Sequence, residues 1–114
     1  MLDKINQIDQ SNIEKLKLPK IDKDNKSVFH QYVIKIKERD KLKKYLKKNG
    51  IETQIHYKQA LPNMKAYKYL NLNMKNYPNA IKSTKEILSL PISPEKKTRE
   101  INHVAKLIKK FFIN

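Results

Sequence analysis

The sequence predicts a small α/β sandwich, in which a layer of helices covers a few strands. Three observations carry that expectation. Two stretches, around residues 28–37 and 51–57, alternate apolar and polar side chains at period two. Two others, around 42–46 and 101–112, repeat apolar residues at helical spacing. The chain is 114 residues long, enough for one domain around one core.

In chain order, residues 1–27 read as a partial linker or approach segment without a core of its own. Ile5 with Ile8, and Ile13 with Leu16, have the spacing of one or two helical turns, and Pro19 breaks any helix. Lys20 to Lys26 reads as exposed loop. Residues 28–114 read as the folded domain. In its first strand Val28, His30, Tyr32, Ile34 and Ile36 share one face, with Phe29, Gln31, Val33, Lys35 and Lys37 on the other. The period then changes. Asp40 stands where it can cap a helix, Leu42, Tyr45 and Leu46 mark its inner face, and Asn49-Gly50 closes it. Ile51, Thr53, Ile55 and Tyr57 alternate again as a second strand. A loop with Pro62 follows, then a helical turn over Met64–Leu70. Pro78 suits the first turn of another helix, with Ala80, Ile81, Thr84, Ile87 and Leu88 facing inward. Leu88 to Ile92 is extended and apolar. Ser93-Pro94 opens a last helix with the stripe Ile101, Val104, Ala105, Ile108, Phe111 and Phe112.

Composition narrows the function. The chain has no Cys, which excludes disulfides, thiolate metal sites and cysteine nucleophiles. No apolar run reaches the ~18 residues of a membrane span, so no membrane partner is expected. The start lacks the apolar stretch of a signal peptide, and a cytoplasmic location is expected. The net charge of +15 and pI of 9.9 point toward anionic partners, yet only Arg39 and Arg99 are arginines among 26 basic residues. Phosphate clamps and groove readers favour the planar arginine fork. Lys, Asn, Ile, Tyr and Phe make about half of the chain, and all five have A/T-rich codons. The lysines are therefore read as solvated surface. Nucleic acid is not the expected partner.

Few residues carry chemistry by themselves. A single glycine excludes a glycine-rich phosphate loop. His30, His56 and His103 have no metal-ligand spacing. His103 falls off the apolar stripe of its helix and is expected on the surface, while His30 is expected as a half-core histidine. His56 and Tyr57 end a strand just before an irregular loop, where side chains often line a pocket. Imidazole and phenol both hydrogen-bond polyhydroxylated ligands, and a phenol ring stacks on a sugar face. The pattern by itself fits better a strand end with one core aromatic and one exposed histidine.

At these residues the sequence resembles the DegT/DnrJ/StrS sugar aminotransferases. The resemblance rests on Phe29-His30-Gln31-Tyr32-Val33-Ile34, Glu38-Arg39-Asp40-Lys41-Leu42, Gly50 to Tyr57, Ala66-Tyr67 and Glu86 to Pro94, followed by a terminal helix ending in Phe111-Phe112. Members similarly read an "RD-x-L" helix, "GI-x-T-x-IHY", an "AY" turn and "LSLP-x-x-P", collinear over about residues 13 to 112. The resemblance implies the aspartate-aminotransferase (type I) fold, and within it only the C-terminal small domain. It implies pyridoxal phosphate as the cofactor of the full-length enzyme, a nucleotide-linked keto-sugar as substrate, glutamate as the usual amino donor, and a homodimer. The wording of "LSLPISP" looks closest to members that aminate dTDP-3-keto-6-deoxyhexoses. The Schiff-base lysine and phosphate-binding residues belong to the family's large N-terminal domain, and no lysine here matches that motif. This chain alone is therefore expected to bind no cofactor and to be inactive, as a truncated copy, a fragment or a relic.

By position in the family, His56 and Tyr57 border the sugar. The loop after them departs from the pattern: Lys58, Ala60, Pro62 and Met64 stand where Pro, Pro, His and Gln are expected. An alternative of another class is a small lysine-rich module binding nucleic acid or other anions, suggested by Tyr57-Lys58, Tyr67-Lys68-Tyr69 and Lys109-Lys110-Phe111. A further possibility is a non-catalytic partner that docks on a full-length relative.

Overall fold

The computed structural model describes residues 15–113. The expectations for Ile5, Ile8 and Ile13 lie outside them. Three antiparallel strands form one sheet in the order β1 (Leu16–Lys17), β2 (Tyr32–Ile36), β3 (Ile87–Leu90). Leu16 stands opposite Ile36, and Tyr32 opposite Leu90. Where a helical turn was expected, Leu16 thus extends a sheet and is buried in the core. On the far side of β3, Gln54 bridges to Ser89 through bonds of 3.1 and 2.8 Å. The expected second strand is reduced to this single bridge.

Period two decides which side chains of β2 go inside. Tyr32, Ile34 and Ile36 are buried, Val33 is half-buried and Lys35 is exposed. Burial raises the pKa of the Tyr32 phenol by desolvating its charged form. The alternation stops before Tyr32, because Phe29 takes a left-handed φ of 46°. Val28 and His30 consequently face solvent, which corrects the half-core reading of His30.

Helices α1 (Arg39–Lys48) and α3 (Thr98–Ile113) pack on each other and close the core. Leu42 and Leu46 enter from α1; Ile101, Val104 and Ile108 enter from α3. Tyr45 and Phe111 touch with ring centroids 5.4 Å apart. The end of α1 follows from its one glycine. Gly50 has φ 78°, and this lets its N–H reach the Lys47 carbonyl at 3.0 Å and the Ile51 N–H reach the Leu46 carbonyl at 2.9 Å. The start of α1 differs from expectation. Glu38 occupies the cap position without a side-chain cap bond, its carboxylate accepting from Lys41 Nζ, and Asp40 lies inside the first turn, 2.7 Å from Arg39 Nε.

Helix α2 (Pro78–Glu86) is shorter than expected, since Ile87 and Leu88 belong to β3. None of its residues is fully buried, and Ala80 is exposed. Polar contacts tie it down instead. Arg39 Nη1 donates to the Thr84 carbonyl at 3.0 Å and to the Ile87 carbonyl at 3.1 Å. These are carbonyls at the helix end that no intrahelical N–H reaches. Lys35 Nζ donates to Ser83 Oγ at 3.2 Å.

Ser93 and Pro94 precede the last helix in a turn closed by Lys96 N–H on the Ser93 carbonyl. The helix begins at Thr98, where the Glu100 carboxylate accepts the Lys97 N–H at 2.8 Å. That bond holds the Glu100 carboxyl below its ordinary pKa. Between Tyr57 and α2 the chain makes three short 3₁₀ turns, Leu61–Asn63, Lys65–Leu70 and Met74–Asn76.

Candidate functional site

The candidate site is built on the edge where the Gln54 bridge meets β3. In Leu88-Ser89-Leu90 the two leucines go into the core, so period two sends Ser89 to the other face. The bridge holds residues 53–56 beside that face. There Ser89 Oγ and His56 Nδ1 lie 2.7 Å apart. Ser89 is 6% exposed, whereas His56 is exposed. Around the pair is a cleft of about 350 Å³, whose polar lining is His30, Gln31, Glu52, Thr53 and Gln54 beside His56 and Ser89, with Leu90, Pro91 and Ile92 as its apolar part.

Its polar groups carry no lysine or arginine, and Glu52 is the one carboxylate among them. Imidazole, amide and hydroxyl groups suit a neutral, hydroxyl-rich ligand better than a phosphate. Thr53 adds a buried Oγ1 with no hydrogen-bond partner among the described residues. Its carbonyl accepts Lys43 Nζ at 2.8 Å, which fastens the segment to α1.

The structure separates the two expected site residues. His56 lines the cleft. Tyr57 is 65% exposed and does not line it, nor does it enter the core as its alternation suggested. His103 lies exposed on α3, as expected. It borders a larger hollow of about 690 Å³ between the end of α1 and α3. That hollow also carries Arg99, and its Lys96 and Glu100 pair with each other at 3.6 Å. The smaller cleft is the better candidate, because its polar groups converge. Sequence reasoning missed Gln31, Gln54 and Ser89 as its walls and placed His30 elsewhere. A signal for Ser89 existed: a lone hydroxyl between two core leucines at period two.

Among the described residues no helix is long and apolar enough to cross a membrane, and no cluster of His, Asp and Glu has the makings of a metal site.

The sequence profile of the DegT/DnrJ/EryC1/StrS aminotransferase family matches residues 3–109. The chain belongs to that family, whose members are pyridoxal-phosphate-dependent aminotransferases. It is 38% identical over 85 residues to a pleiotropic regulatory protein of Geobacillus stearothermophilus, covering 75% of this chain and 23% of that one. It is 31% identical over 94 residues to the dTDP-3-amino-3,6-dideoxy-alpha-D-galactopyranose transaminase of Aneurinibacillus thermoaerophilus, covering 82% and 25%. The crystal structure of S. venezuelae DesV superposes with a TM-score of 0.85 at 23% identity, over 98% of this chain and 31% of that one. The fold is thus that of one part of an aminotransferase. The chain spans about a quarter of the length of the curated relatives it matches.

The cofactor can be tested against the cleft. Pyridoxal phosphate is held by a lysine amine and by donors for its phosphate, and it supplies an electron sink. The cleft offers neither a lysine nor an arginine, so its residues do not fit the group. No step through the cofactor is derived from this chain.

Proposed function

We propose that the chain acts as the C-terminal small domain of a nucleotide-sugar aminotransferase, and that its cleft forms part of the wall facing the sugar. Residues 28–114 would be that domain, with residues 1–27 leading into it. The observation that carries the reading is the convergence of His56, Gln31 and Gln54 on one cleft without a cationic side chain of lysine or arginine, in a chain of this family. In it, His56 and the glutamines hydrogen-bond hydroxyl or keto oxygens of the sugar, and Tyr57, exposed beside them, covers the sugar from outside. Pyridoxal phosphate, which would supply the chemistry of amino transfer from glutamate, would be held by the remainder of a complete, dimeric enzyme. The relative from Aneurinibacillus, with its dTDP-linked 3-amino sugar, favours a dTDP-3-keto-6-deoxyhexose as substrate.

The test uses the 114-residue chain with pyridoxal phosphate and borohydride. The reading expects no new visible absorbance band and no reduced adduct on a lysine. A stoichiometric adduct on one lysine would overturn it.

One observation favours a second reading. Tyr57 and Tyr69 are 65% and 76% exposed, and Lys58, Lys65 and Lys68 are exposed among them. Lysines interleaved with open aromatic faces suit single-stranded nucleic acid. Binding of this kind weakens steeply with salt. Failure of single-stranded and duplex DNA to bind at low salt removes it.

A further inference from the structure

We infer that Ser89 is a positioning residue, which fixes His56 as the tautomer protonated on Nε2 and makes that N–H a donor toward an acceptor oxygen in the cleft. The proton assignment rests on the hydrogen-bond inventory. Ser89 is buried, and its backbone N–H and carbonyl are both taken by Gln54. Its hydroxyl has one proton to donate, and among the described residues the only side chain within reach is His56, at 2.7 Å from Oγ to Nδ1. If Nδ1 carried the proton, it would donate to Oγ and leave the hydroxyl proton without a side-chain acceptor among the described residues. A hydroxyl proton left without a partner there is unfavourable. If Oγ donates to Nδ1, every group is satisfied and the ring proton sits on Nε2.

The consequence is chemical selectivity. An exposed imidazole free to change tautomer can donate or accept at Nε2; one held at Nδ1 only donates there. The ring's free edge then seeks a keto, ring or hydroxyl oxygen and offers nothing to an N–H donor. Strand period two explains how such a residue is available. β3 turns Leu88 and Leu90 into the core, which fixes Ser89 more rigidly than a loop serine. The donation toward a ligand oxygen rests on the substrate-facing reading of the cleft; the tautomer assignment does not.

The experiment is nitrogen-15 spectroscopy of the imidazole rings in the 114-residue chain near pH 8. His56→Gln identifies the His56 signals. In the wild type, His56 should show a protonated Nε2 and a hydrogen-bonded, unprotonated Nδ1. Ser89→Ala should move the Nδ1 resonance toward that of exposed His103 and let the Nδ1-protonated form appear, and Ser89→Thr should restore the original pattern. A wild-type proton on Nδ1, or a Ser89→Ala ring spectrum identical to wild type, would overturn the inference. The wild-type spectrum decides even if a variant fails to fold. Adding dTDP-glucose to the same samples separates the two readings. Shifts at His56 and Gln31, with roughly 3- to 10-fold weaker binding in Ser89→Ala, support both. No shift with the tautomer fixed as described keeps the role of Ser89 and overturns the substrate-facing cleft.

Discussion

The surroundings of β2 and the stretch from Tyr57 to Leu70 contain the same kinds of residue and treat them oppositely. Around β2, Tyr32 and Ile34 are 2% and 0% exposed, packed under Leu42, Leu46 and Ile108. In the other stretch, Leu61 and Tyr69 are 58% and 76% exposed. Apolar composition therefore does not decide where a core forms. Apolar residues were buried where period two met period 3.6 across a sheet and two helices. In the 3₁₀ turns, where neither period persists, the same side chains stayed outside. The folding energy lies in the first region, and the second is open to change at little cost.

The largest break in this contrast should come from β2. Ile34→Ala empties a site with no exposure, and should lower stability by about 2–5 kcal/mol in urea unfolding. Next comes Arg39, whose side chain is 11% exposed and whose Nη1 serves two carbonyls. Arg39→Ala should cost about 2 kcal/mol by the same measurement, and Arg39→Lys should recover little, because an ammonium cannot also hold Asp40 in the same fork. Gly50→Ala meets no atom within 4 Å, so only the left-handed backbone opposes it, and the loss should be about 1 kcal/mol. At the small end, Tyr69→Ser should change the stability by no more than about 0.5 kcal/mol in the same measurement. A large loss there would mean that the stretch is part of the folding core after all.

Much of the fold was legible because its signals are periodic and local. Tyr32, Ile34 and Ile36 announce their shared face, and Gly50 marks the end of α1. What was illegible depends on contacts distant in sequence. Nothing local tells that Leu16 pairs with Ile36, or that Arg39 caps a helix 45 residues further on. Phe29 hid the end of the strand, since a left-handed phenylalanine leaves no mark in a pattern of apolar residues. At the site, His56 was found through motif position, whereas His30 and Ser89 reach it only through sheet pairing. Tyr57 was singled out with His56, yet the turn after the bridge sends it outward.

The most direct test of the central claim is amino transfer by the native gene product, purified from source cells with and without His56→Ala, using glutamate and a dTDP-linked keto-sugar. The account predicts an active enzyme in which this chain is joined to, or complexed with, a cofactor-binding portion. His56→Ala should lower kcat/KM by roughly 10-fold, as expected when one hydrogen bond to substrate is lost. A product that transfers no amino group and associates with no such portion would contradict it, as would an active enzyme indifferent to His56.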